Sequence, residues 1–148
     1  MFLEGQKVGL RPIREDDASF FQEWMNNQEI NQYLMVYLPI TRLSEEQWIK
    51  NISQAKDDIV LTIITKTPVD GKPIGNVGLH NINHKDSHAT FGIVIGDKDY
   101  HESGYGTEAA RLIIGYGFNQ LNLHRINSYA FAFNKRSIHN FYNFFHFC

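Results

Sequence analysis

The stretch best suited to chemistry is Ile93-Val94-Ile95 followed by His101-Glu102-Ser103-Gly104-Tyr105-Gly106-Thr107. A β-branched apolar strand runs into a polar loop, then Gly-x-Gly, then a helix opened by the small residues Ala109 and Ala110. Glycines in such a loop let backbone N–H groups turn inward and approach a ligand closely. The helix start adds unpaired donors and the positive end of its dipole, so residues 101–107 form a candidate site for a phosphate or pyrophosphate.

Gly104-Tyr105-Gly106-Thr107-Glu108-Ala109 also matches the G-x-G-x-x-A dinucleotide fingerprint. In that motif the first glycine follows its strand almost directly, and a carboxylate roughly 20 residues on binds the ribose. Here eight residues separate Ile95 from Gly104 and no acid follows Glu108, so a Rossmann site fails on both counts. The seven histidines are scattered without a spacing such as HExxH, and no metal site is expected.

The elements that must position the loop follow from periodicity. Val8 to Pro12 reads as a strand. Asp16 or Asp17 caps a helix bearing Ala18, Phe21, Trp24 and Met25 at helical spacing, and a short helix over Gln28 to Leu34 follows. Ser44-Glu45-Glu46-Gln47 has capping-box form and opens a helix to about Lys56. Ile59–Thr65, Pro73–Ile82 and Ala89–Ile95 read as an antiparallel meander. Thr107–Leu121 reads as a helix, Arg125–Phe133 as a strand and Lys135 to about Phe144 as a last helix. The helix between the strands at Ile95 and Arg125 makes a parallel crossover. The expected fold is α/β, a mixed and mostly antiparallel sheet flanked by helices.

With 148 residues, 43% of them hydrophobic, the chain suits a single domain over 1–148. The net charge of −2 gives no global basic field, which disfavours a nucleic-acid partner. Residues 1–108 carry ten basic and sixteen acidic side chains, whereas residues 109–148 carry four basic and none acidic. That split suits a cationic ligand on the body and an anionic one near the end. Cys148 is the only cysteine, no apolar run has membrane-spanning length, and no signal-peptide pattern opens the chain. A cytoplasmic location with no membrane partner is expected.

His101-Glu102-Ser103-Gly104-Tyr105-Gly106 resembles the Gln/Arg-x-x-Gly-x-Gly/Ala pyrophosphate loop of the GNAT N-acetyltransferases, with His101 departing from the usual first residue. Leu10-Arg11-Pro12 with Glu15-Asp16-Asp17, Leu123-His124-Arg125-Ile126 and Asn134-Lys135-Arg136-Ser137-Ile138 resemble the branch holding ribosomal-protein N-terminal and spermidine acetyltransferases. The likeness spans nearly the whole chain. It implies transfer of acetyl from acetyl-CoA to a primary amine (a protein N-terminus, a polyamine or another small amine) by direct attack in a ternary complex. By that resemblance Ile93, Val94 and Ile95 bond the pantetheine arm through their backbone, and an N–H among them polarises the thioester carbonyl. Residues His101, Glu102, Ser103, Gly104, Tyr105, Gly106 and Thr107 hold the pyrophosphate. Asn134 contacts the pantetheine or thioester end, with Ser137 close by.

Departures from the family pattern bear on catalysis. Thr90 stands where relatives often carry a basic carboxylate, which leaves the general base unassigned among His80, His88 and Glu102. The family's general-acid tyrosine falls seven residues after the asparagine. That count reaches Phe141, and Tyr142, one step later, is the expected acid. The resemblance also implies two further strands beyond the tail, so a five-stranded body is expected. Its edge after residues 125–133, beside Phe141, Phe144, Phe145 and Phe147, would be covered by a homodimer. A non-catalytic acyl-CoA-binding module on the same fold is the alternative.

Overall fold

Residues 1–32, 38–66 and 71–128 are described by a computed structural model of the chain. One six-stranded sheet runs in the order β1 (Leu3–Glu4), β2 (Val8–Pro12), β3 (Ile59–Thr65), β4 (Pro73–Asn83), β5 (His88–Ile95) and β6 (Arg125–Asn127). Every pairing is antiparallel except β5 with β6, where His88, Ala89 and Thr90 face Arg125, Ile126 and Asn127 in parallel. The crossover read from the sequence is therefore present. Its helix, α4 (Tyr105–Asn119), packs against β2, β4 and β5. The other helices are α1 (Ala18–Asn26), α2 (Gln28–Asn31) and α3 (Arg42–Gln54), all inserted between β2 and β3.

Strand alternation sorts the side chains into two layers. Val8, Leu10, Leu61, Ile63, Val77, Leu79, Ala89 and Phe91 form the main core with Ala109, Ala110, Ile113 and Ile114 of α4. On the other side Ala18, Phe21 and Trp24 of α1 pack with Ile49 of α3. This layer is tied to the sheet by a polar knot. Arg11 grips Asp17 with two bonds (Nη1 to Oδ2 at 2.9 Å, Nη2 to Oδ1 at 2.8 Å), and Asp17 Oδ2 also accepts from Thr62 Oγ1 at 2.8 Å and Arg14 N at 2.8 Å. The Leu10-Arg11-Pro12 … Asp17 signature is thus a device that fastens the α1 entrance to β2 and β3.

Several boundaries differ from the sequence expectation. The sheet has six strands rather than five, because Leu3–Glu4 pairs with Leu10 and Gly9; two residues are too few to leave a periodic signal. Helix α3 is capped three residues earlier than Ser44: Thr41 is the N-cap, and Ser44 fills the third helical position usually held by Glu or Gln. Thr41 Oγ1 accepts from Ser44 N at 3.0 Å and Ser44 Oγ accepts from Thr41 N at 3.1 Å, closing a capping box. Helix α4 starts at Tyr105 rather than Thr107, since Gly104 at φ 88° supplies the left-handed N-cap. The continuation of β6 to Phe133, the helix expected from Lys135, the tail aromatics and the homodimer edge they define all lie outside the described residues, as do Asn134, Ser137 and Tyr142.

Candidate active site

The site is organised by the side of β5 that faces away from β4. Gly96 N–H donates to Ile74 O on β4 at 2.8 Å, whereas Phe91 O accepts from Ser128 Oγ at 3.0 Å on the β6 side. Backbone groups of successive strand residues point to opposite edges. The N–H and C=O of Ile93, and those of Ile95, therefore face away from β4, while those of Val94 face it. The sequence expectation gave all three residues the same backbone role. The geometry divides them: Ile93 and Ile95 offer their polar groups to the outer edge, and Val94 uses its own within the sheet.

His101 Nε2 lies 2.7 Å from Ile95 O. A carbonyl can only accept, so the neutral ring carries its proton on Nε2. The residue that replaces the usual Gln or Arg thus closes the loop from β5 onto itself. Glu102 follows at φ 60°, exposed to solvent, and Gly104 at φ 88° turns the chain into α4. That positive φ is the conformation glycine adopts without strain. The first N–H groups of a helix have no acceptor within it, and together with the dipole they favour an anion.

Two side chains hold this loop against the start of the chain. Glu108, in the first turn of α4, accepts from three backbone donors of the β1–β2 turn: Gln6 N at 3.0 Å, Lys7 N at 2.7 Å and Val8 N at 2.7 Å. Lys7 Nζ donates to Ser103 O at 2.8 Å and sits 5.4 Å from the centre of the Tyr105 ring. Neither role was read from the sequence, because the partners lie about a hundred positions away. The Tyr105 ring in turn meets Tyr100 edge-on, with centroids 5.0 Å apart.

A Cβ on Gly106 would point at the strand, 3.4 Å from Ile95 Cγ1 and 3.7 Å from Ile93 Cδ1, so the space between α4 and β5 here admits a small side chain and nothing larger. Alanine fits at ordinary contact distance, whereas valine drives two methyl groups into both isoleucines. Gly106→Val is expected to cost about 1–3 kcal/mol of stability by overpacking. It should also weaken acetyl-CoA binding roughly tenfold, as the first turn of α4 moves off β5. Gly106→Ala should do neither. Calorimetric titration with acetyl-CoA, alongside melting curves, checks both.

On the opposite face of the sheet, Trp24 of α1 packs against Gly96, where any Cβ would meet the indole. Of the expected base candidates, His88 pairs at the far end of β5 and Glu102 is on the exposed loop. His80 alone lies over the middle of the β4–β5 pair.

Residues 7–140 match the acetyltransferase (GNAT) domain model. The chain belongs to that family. It is 31% identical over 135 residues to spermidine N(1)-acetyltransferase of Escherichia coli, a match covering 89% of this chain and 68% of that protein. Among solved structures it superposes on a spermidine N-acetyltransferase from Vibrio cholerae in complex with CoA and spermine, with TM-score 0.82, 21% identity, and 92% and 78% of the two chains covered. A putative ribosomal-protein-serine acetyltransferase from Vibrio cholerae gives TM-score 0.76 at 24% identity over 94% and 79% of the chains. At those identities the structural matches establish the fold. The family and the relative at 31% identity make this protein an acetyl-CoA-dependent N-acetyltransferase.

Proposed function

We propose that this acetyltransferase acetylates a primary amine of a polyamine, by direct attack on acetyl-CoA held along β5. The likeness to spermidine N(1)-acetyltransferase over 89% of the chain carries the choice of acceptor. In this reading the outward backbone groups of Ile93 and the N–H of Ile95 bond the pantetheine arm, and residues 101–107 receive the pyrophosphate through the loop and the start of α4. Asn134 and Ser137 contact the thioester end, and Tyr142 donates the proton to the leaving thiolate. An N–H on the outer edge of β5 is available to the thioester oxygen, where charge develops as the tetrahedral intermediate forms.

The excess of acidic over basic side chains in residues 1–108 suits a cationic acceptor. Glu45, in the first turn of α3, is buried, and burial raises its carboxyl above the ordinary value of 4.5. It lies one turn before Ile49, which packs with Phe21 and Trp24 of the layer over Gly96. A protonated amine would supply the positive charge that the described neighbours do not. For an acid whose folded value is raised, stability is complete below the unfolded value and falls as pH rises through the folded one. Glu45→Gln should therefore melt a few degrees higher than wild type at pH 7. The gap should close below about pH 4.5, while the Michaelis constant for spermidine increases.

The whole reading is tested by titration with acetyl-CoA, followed by steady-state thiol release over a panel of polyamines, alkylamines and N-terminal peptides. Turnover fastest on polyamines is the expected result. Preference for a peptide N-terminus would overturn the acceptor, and binding without turnover on any amine would reduce the chain to an acyl-CoA-binding module.

A further inference from the structure

We infer that His80 is the general base of the transfer, with Asp58 as the residue that positions it. The inference rests on the acetyltransferase reading and supplies the proton acceptor that Thr90 cannot. His80 Nδ1 lies 3.3 Å from Asp58 Oδ1. A carboxylate only accepts, so the neutral ring carries its proton on Nδ1 and keeps the lone pair on Nε2.

The backbone is shaped around this ring. The register of β4 against β5 shifts between His80 and Asn83, and Asn81 inside that bulge has φ 51°. The Asn81 N–H donates to the same Asp58 Oδ1 at 3.1 Å, so the bulge fixes the carboxylate beneath the imidazole. Bulges of this kind re-aim side chains next to active sites. The ring then extends across the cross-strand pair Gly78 and Gly92: a Cβ on Gly78 would sit 2.9 Å from Nε2, and one on Gly92 would sit 3.6 Å from it. Nε2 thus ends beside Gly92, one residue before Ile93, on the face of the sheet shared with Thr90 and Val94.

The rivals are further from this point. His88 stands five residues before Ile93, roughly 17 Å along an extended strand. Glu102 is exposed beyond the end of β5. The charged group bonded to the His80 ring is Asp58; from β4 it faces Gly78, from β5 Gly92 and the neutral Thr90, with His88 the next titratable residue on that face. The side chain of His80 is 36% exposed, enough to exchange a proton with water.

The step balances without a further reactant. The amine arrives as an ammonium, and Nε2 takes one proton from it. The nitrogen lone pair forms the N–C bond, and the C–S pair leaves on sulfur. The thiolate gains one proton while the nitrogen sheds its second. One proton is released overall, through His80 to solvent.

His80→Gln keeps the size and polarity of the side chain but cannot take a proton. With spermidine and saturating acetyl-CoA it should lower kcat at least about 10²-fold at neutral pH. The acid-side decline of kcat should disappear, and acetyl-CoA affinity by calorimetry should stay within about twofold of wild type. Asp58→Asn should lower kcat about tenfold and shift that acid limb. Wild-type kcat and an unchanged pH profile in His80→Gln would overturn the assignment. Nitrogen NMR of the ring gives a check independent of turnover: at neutral pH the proton should reside on Nδ1, and Asp58→Asn should abolish that preference. A proton on Nε2 in wild type would also sink the idea. If wild-type protein binds acetyl-CoA yet acetylates no amine, it is the functional reading that fails, and the NMR result still decides the geometry.

Discussion

Asp17→Ala should be the most destabilising single change in the described part of the protein, costing about 3–5 kcal/mol. Arg11, Thr62 and Asp17 are all buried, and the carboxylate satisfies both ends of the guanidinium, the Thr62 hydroxyl and the Arg14 N–H. Removing it leaves an uncompensated cation and two orphaned donors between the sheet and α1. A decrease in melting temperature on the order of 10 °C follows for a chain of this size. Burial by itself would raise the Asp17 carboxyl; the bonds from Arg11, Arg14 and Thr62 and the charge of Arg11 outweigh it and hold the group below its ordinary 3.8. A carboxylate with a lowered folded value contributes stability that is complete above the unfolded value and is lost as pH falls through the folded one. Wild-type stability should accordingly decline below about pH 4, and Asp17→Asn should lack that part of the decline. Replacing both members, Arg11→Met with Asp17→Leu, should recover much of the loss, because the desolvation of two charges goes with them. Urea unfolding at pH 7 and pH 3 measures all three variants. A cost under 1 kcal/mol for Asp17→Ala would mean that the knot is not what fastens α1.

Tyr142→Phe should cut turnover by about 10²-fold while leaving acetyl-CoA affinity nearly unchanged. The substitution removes one hydroxyl and almost no volume. Expulsion of a thiolate from the tetrahedral intermediate leaves a charge on sulfur that a phenol can quench, its ordinary pKa near 10 being close enough to that of a thiol, about 8.5, for transfer in the transition state. The expected loss falls on kcat and on kcat/KM alike, since the proton moves only as the C–S bond breaks. Steady-state kinetics with calorimetry on the same preparations separates this from a binding defect. Full activity in Tyr142→Phe would remove the tyrosine from the mechanism. A larger KM with intact kcat would make it a binding residue. Combining it with His80→Gln also tests whether the proposed base and acid act in one sequence, since groups acting together lose less in the double variant than the sum of the singles.

The sequence by itself determined the family and the crossover, and it marked the loop proposed to receive the anion. Those signals are local: a β-branched run, a Gly-x-Gly turn and an amphipathic helix each depend on residues within about a dozen positions. The strand assignments for residues 59–65 and 73–82 likewise followed from alternation and turn residues. Boundaries shifted where an unusual group did the capping, as with Ser44 in place of Glu and Gly104 before α4. Tertiary structure decided what depended on distant pairs. Glu108 serves the β1–β2 turn from a hundred positions away, and no spacing rule links an acid on a helix to three amides on a hairpin. At Gly106 the helix phase directs a Cβ toward Ile93 and Ile95, a contact that no local spacing rule specifies. His80 was one of three equal candidates in the sequence. Only strand register brought it over Gly92, and only a bulge placed Asp58, 22 positions earlier, against its other nitrogen. Local propensity determines which segments can form; the choice among polar residues of one face is made by register, which long-range pairing sets.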